Sequence, residues 1–239
     1  GCTTCPTCGQ DAPEKKCKVV QIYHEEHPLN PRKDYDNLGT MVCWHRDYDL
    51  GDEHQHSDPQ EFLKWLAIRV DPTVEDRIEY WENGPGLVRC ANTGVKEYWT
   101  LSDKRVRDIV NKAINKHVVM LPLYLYDHSG ITMSTSAFSR PWDSGQVGFI
   151  YITRAKIQEE YGWKVVTSAR RKLLEKHLTG DVEVYDNYLT GAIYGFQVFD
   201  ETGEEIDSCG GFSGYDHERS GMLMEIQQCL DEGYTLEDA

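Results

Sequence analysis

Cys2, Cys5, Cys8 and Cys17 place four thiols within the first seventeen residues, the densest chemical grouping in a chain of 239. In Cys5-Pro6-Thr7-Cys8-Gly9 a two-residue spacer lets both sulfurs reach one ion, and the glycine frees the backbone to turn behind the second. Four thiolates can close a tetrahedral zinc site alone, with His24 or His27 as a substitute fourth ligand. Such a site keeps no open position, so the expectation is a structural clip over residues 1–17. The second CxxC of a complete zinc ribbon is missing, which leaves redox-active or free cysteines as the alternative. Cys43, Cys90, Cys209 and Cys229 are scattered singly and read as small buried hydrophobes.

Histidine and aspartate concentrate in further segments. Residues 43–58 hold His45, His54 and His56 among five carboxylates, without a HExxH or calcium-loop spacing. Tyr126-Asp127-His128-Ser129-Gly130 follows an apolar run, where strand ends often carry functional side chains. Its Asp-His-Ser string is no triad, because sequence neighbours on a strand face opposite ways. Residues 139–148 read as a tight loop burying Trp142, and match neither phosphate-binding pattern. An active site, if the chain has one, is sought between His45, His128 and Asp143.

Charge separates the chain more sharply than any motif. The net value is −15, yet residues 103–199 carry 13 bases against 10 acids, while residues 200–239 carry 12 acids and one base, Arg219. A field of that sign repels phosphate backbones and attracts basic protein surfaces, so direct nucleic-acid binding is not expected. The candidate contacts are Asp200, Glu201, Glu204, Glu205, Asp207, Asp216, Glu218, Asp231 and Glu232. Arg170, Arg171, Lys172 and Lys176 form a basic helix face that reads as solvated surface. No apolar run approaches the roughly 18 residues that span a bilayer, and no signal-type stretch opens the chain, so a cytoplasmic location is expected.

The elements that must position these groups alternate irregularly. Strands are expected over 18–23, 38–45, 118–126 and 146–153, and a hairpin joins 193–199 to 206–212 through Asp200-Glu201-Thr202-Gly203-Glu204. Asp58 and Asp103 open capped helices, with Pro59 and Glu61 completing the first signal. A helical stretch over about 153–178, with a break at Gly162, turns Val166, Ala169, Leu173 and Leu174 inward. A last helix spans about 218–230. Without a βαβ rhythm, the expected class is α+β, an antiparallel or mixed sheet with packed helices. The expected division is a cysteine-rich appendage, 1–17, and one acidic domain, 18–239.

Leu121–Met133 (LPLYLYDHSGITM) and Pro141–Tyr151 (PWDSGQVGFIY), with Asn37–Arg46 and Tyr194–Val198, resemble an uncharacterised family of bacteriophages and mobile elements. The resemblance spans about 35–215 and carries no assigned activity or catalytic residue. It implies a phage-borne protein acting in a bacterial cytosol. The functions weighed are an acidic inhibitor imitating nucleic acid, of the anti-CRISPR kind, a metal-assisted hydrolase or nucleotide-processing enzyme using the His/Asp loops, and a structural or regulatory phage component.

Overall fold

Helix α2 (Pro59–Val70) begins where the sequence places it. Asp58 Oδ1 accepts from the Gln60 and Glu61 amides at 2.8 and 2.9 Å, and Pro59 fills the first helical position, where an amide has no partner to lose. Glu61 does not turn back to the cap residue itself; its carboxylate accepts from the Ser57 amide at 2.9 Å. This structure, a computed structural model, describes residues 19–83, 99, 101, 103–139 and 142–230. The cluster Cys2, Cys5, Cys8 and Cys17, together with Cys90, Asp231 and Glu232, lies outside the described residues.

The fold is α+β, with antiparallel sheets and packed helices. Within the span that the sequence reads as one domain, contacts group into two units, residues 30–189 and residues 1–29 with 190–239. In the larger unit, β2 (Thr40–Cys43), β5 (Ser144–Thr153), β3 (Val118–Asp127) and β4 (Ile131–Ser134) form one sheet in that order. Strand β5 is apolar on both faces because both faces are covered. Phe149 and Tyr151 join Phe62 and Leu66 of α2 and Val110 of α4 (Lys104–His117) in one core. Ile150 and Ile152 meet Leu174 and Leu178 of α6 (Ser168–Leu189) in the other. Gly148 lets β2 approach, since a Cβ there would stand 2.0 Å from the Val42 carbonyl oxygen.

The helical stretch expected over 153–178 breaks at Gly162 as anticipated, but its second helix starts at Ser168 and runs on to Leu189. Helix α5 (Arg154–Tyr161) stops at Gly162, which adopts the left-handed φ of 66° that suits a residue without Cβ. Helix α6 begins six residues later, and that offset selects a different face. Leu174, Leu178, Val182 and Tyr185 point inward, whereas Ala169 and Leu173 are exposed and Val166 lies in the connection. Arg171 is also not simply solvated: it donates to the carbonyls of Asn115 and Val118 at the end of α4.

The smaller unit is a three-stranded antiparallel sheet ordered β1 (Val19–His24), β6 (Ile193–Phe199), β7 (Glu205–Ser213). The expected hairpin is present. Helix α7 (Met222–Cys229) covers one face through Met222 and Ile226, which pack on Phe196 and Val198. Strand β7 is exposed from Glu205 to Gly211. Cys209 on it is exposed and Cys229 half-buried, unlike the fully buried positions expected of them; Cys43 is buried. Among the described residues no helix is long and apolar enough to cross a membrane.

Candidate functional site

At the end of the larger sheet, β2 runs on through Trp44, whose amide donates to Val147 O at 2.7 Å. The following loop is tied at four further points. Trp44 Nε1 donates to His56 O, His54 Nε2 meets Cys43 O at 2.8 Å, the Gly51 amide donates to the Tyr185 hydroxyl, and Asp52 binds Arg32. The tethered loop encloses an open cleft of about 750 Å³ lined by Cys43, His45, Tyr48, Asp52 and His54 among others.

A series of contacts links the three sequence candidates, although of the three His45 alone is among the residues that line the cleft. His45 stacks on Tyr48 with centroids 4.8 Å apart, and the Tyr48 hydroxyl donates to Asp127 Oδ1 at 3.4 Å. The Asp127 amide donates to Asp143 O at 2.8 Å, and His128 Nδ1 lies 3.9 Å from Asp143 Oδ2. A tight turn aims His128, with Ser129 at a positive φ of 59° and the His128 amide bonded to Gly130 O. Yet the His128 and Asp143 side chains are 63% and 42% exposed, so water screens their attraction. Partial desolvation and then the Asp127 charge raise the Tyr48 phenol above its ordinary value, against a role as base. Burial, then Asp52, pushes the Cys43 thiol to about 12, so it is protonated at neutral pH and no nucleophile. Among the described residues no group of three or more His, Cys, Asp or Glu is placed to hold a metal ion. Trp142, expected inside its loop, is instead 95% exposed and joins none of the three apolar clusters.

Sequence reasoning missed the polar centre that reaches the cleft through Asp52. The Arg32 side chain is 1% exposed and pairs with both Asp52 oxygens, through Nε at 2.8 Å and Nη2 at 2.7 Å. Asp52 also accepts from the Met41 amide, and Arg32 Nη2 from the same guanidinium reaches Gly39 O. The Gly39 amide donates to Asp181, whose carboxyl is raised by burial against this bond and the nearby Arg32 charge. Asn30-Pro31, which caps and starts the four-residue helix α1 (Pro31–Asp34), was the one sequence signal for a fixed Arg32.

The second candidate is the acidic hairpin of the smaller unit. Its described residues hold ten carboxylates against a single Lys or Arg, Arg219. Several of the expected contacts have work inside the fold. Asp200 accepts from Thr202 N, Thr202 Oγ1 and Glu204 N and closes the turn, and the Thr202 hydroxyl, first among these, holds its carboxyl below the ordinary value. Asp216 accepts from Arg219 N, Glu205 from Gln197 Nε2, and Asp207 from Ser208 N. Glu201, Glu204 and Glu218 stand exposed at the surface.

No family model, no curated protein and no solved structure matches the chain.

Proposed function

We propose that the protein is a phage-type accessory binding protein whose smaller unit docks on a basic protein surface, as an acidic inhibitor of a nucleic-acid-handling or defence complex of the bacterial host. The observation that carries this is the ten-to-one excess of carboxylates over bases among its described residues, five of which (Asp200, Glu201, Glu204, Glu205 and Asp207) lie on a hairpin whose outer strand is exposed. Among its described residues Arg219 is the one Lys or Arg opposing that field, so the unit attracts cationic surfaces and steers their approach. Glu201, Glu204 and Glu218 are the leading contacts, because they are exposed while Asp200 and Asp216 serve the turns. Carboxylates on alternate strand residues sit roughly 6.8 Å apart, against one charge per about 3.4 Å along a DNA strand. The mimicry is therefore sparse, and affinity depends on shape as well as charge. The N-terminal zinc clip of Cys2, Cys5, Cys8 and Cys17 belongs to the same proposal as a structural staple.

The test is capture from bacterial lysate by the full chain at 50 and 200 mM salt, with duplex DNA as competitor. Wild-type protein retains a DNA-binding complex that duplex displaces, and Glu201→Gln/Glu204→Gln/Glu218→Gln loses at least tenfold of it with its fold intact. Capture indifferent to salt, to duplex and to the triple variant would overturn the proposal.

A further inference from the structure

The sheet of the smaller unit has two edges, and they are finished differently. Among the described residues β1 and β7 each pair with β6 alone. Strand β7 carries the devices that keep an edge from recruiting another strand. Its register with β6 slips at two places, Gly211 takes a left-handed φ of 84°, and Glu205 and Asp207 set charge along it. Strand β1 has none of these. Val19-Val20-Gln21-Ile22-Tyr23-His24 holds no Pro, Gly, Lys, Arg, Asp or Glu, and its register with β6 runs unbroken. All of it but Val20 is exposed, Val19 by 49%, Ile22 by 44% and Tyr23 by 38%. A regular, charge-free run rich in β-branched and aromatic residues is the kind of edge that pairs most readily.

Ladder geometry shows which groups a further strand would meet. The Glu25 amide donates to Ile193 O at 2.9 Å, and bonded pairs alternate along an antiparallel ladder. Val19, Gln21 and Tyr23 therefore turn their backbone groups toward β6. Val20, Ile22 and His24 turn theirs outward, and their side chains share the α7 face with Val198, Phe196 and Tyr194 opposite them.

We infer that β1 pairs with β1 of a second copy of this chain, antiparallel about a twofold axis at Ile22, doubling the three-stranded sheet into one of six. In that register Ile22 meets Ile22 of the partner subunit, and Val20 meets the partner's His24. The outward amides and carbonyls of the strand bond one another, and no like charges stand opposed. The occupant is the chain itself because the pairing closes. An edge joined to itself is isologous, and it leaves a β7 on each flank, where bulges and carboxylates stop further growth. A basic strand would find no carboxylate on β1 to favour it. The two acidic hairpins end five strand spacings apart, about 24 Å, beyond the screening length of roughly 8 Å at physiological salt. The dimer does not depend on the docking proposed above.

Sedimentation equilibrium of the full chain under reducing conditions tests it. A pair of six-residue strands is small beside the roughly 1,200 Å² of stable interfaces, so the Kd is on the order of 10 µM and the mass approaches twice the monomer's by about 100 µM. Ile22→Pro removes an outward amide, which an edge strand tolerates, and holds the chain monomeric at that concentration. Ile22→Lys and Ile22→Glu each oppose like charges at the axis and weaken association about threefold or more, whereas an equimolar mixture of the two recovers it. Circular dichroism and thermal melting check that each variant folds; should Ile22→Pro fail to fold, the Lys and Glu variants and their mixture decide. A wild-type chain that stays monomeric to about 100 µM, an Ile22→Pro variant that still dimerises, or a mixture that recovers nothing would overturn the inference.

Discussion

Asp52 and Glu201 are both carboxylates on loops, yet one is bound to a buried guanidinium and the other stands at the surface. In the larger unit, carboxylates meet donors: Asp52 has both oxygens on Arg32, Asp103 has Arg105, and Asp181 has the Gly39 amide. Among the described residues of the smaller unit acids outnumber bases ten to one, so most of them meet backbone amides, hydroxyls or water. The difference teaches that a carboxylate's role follows from the donors its fold can bring, not from local sequence. It also separates the two units by what a neutralising substitution should do: destabilise the first, and change only binding in the second.

The sharpest break of that comparison is Asp52→Ala. It leaves the Arg32 guanidinium buried with Gly39 O as its remaining partner among the bonds described here, and an uncompensated buried charge costs about 3–5 kcal/mol. Chemical denaturation reads the loss directly. Arg32→Met/Asp52→Leu should recover most of it, since exchanging both partners for apolar groups removes the stranded charge. The Glu201, Glu204 and Glu218 triple substitution should stay within roughly 0.5 kcal/mol of wild type. If it costs as much as Asp52→Ala, the two units do not differ in the way argued.

A middle-sized effect belongs to Asp103, the cap of α4. Its Oδ1 accepts from the Arg105 and Val106 amides at 2.8 and 3.4 Å, and its Oδ2 meets the Arg105 guanidinium at 2.9 Å. The Arg105 side chain, first, and these amides hold its carboxyl down to about 2. A depressed carboxyl stabilises above its unfolded value, near 3.9, and loses that contribution as pH falls toward the folded one. Asp103→Ala should therefore cost about 1 kcal/mol at neutral pH. Its deficit should close between about pH 4 and pH 2 in melts followed by circular dichroism. A deficit that persists at pH 2 would mean the cap works through packing, not charge.

What was legible in the sequence was local. Asp58-Pro59, Asp103 and the Asp200–Glu204 turn each specify their structure within five residues, and all three appear where expected. What was not legible needed partners far apart. Arg32 and Asp52 lie 20 residues apart in polar surroundings, so nothing nearby announces a buried pair. Thr179-Gly180-Asp181 looks like a helix end, but burial of Val182 and Tyr185 carries α6 through it to Leu189. The candidate site was half legible: the residue types of His45, His128 and Asp143 single them out in the sequence, whereas the Tyr48–Asp127 bond that joins their loops spans 79 residues and leaves no local signal.

Asp181 supplies the smallest and most discriminating substitution, because two accounts of it differ in sign. Burial, the largest influence, raises its carboxyl, while the Gly39 amide and the Arg32 charge pull the other way. A carboxyl raised on folding favours the folded state below its unfolded value and loses that contribution as pH rises through the folded one. The charged form is thus a net cost at neutral pH. Asp181→Asn keeps an oxygen for the Gly39 amide and removes the charge, so it should be neutral or stabilising by at most about 1 kcal/mol, with solvent screening holding the gain down. The gain should vanish below about pH 4, where wild-type Asp181 is itself protonated. If Asp181→Asn instead destabilises at pH 7, its charge serves as a second counter-ion to Arg32. That result would extend the inward use of carboxylates in this unit from a pair to a triad.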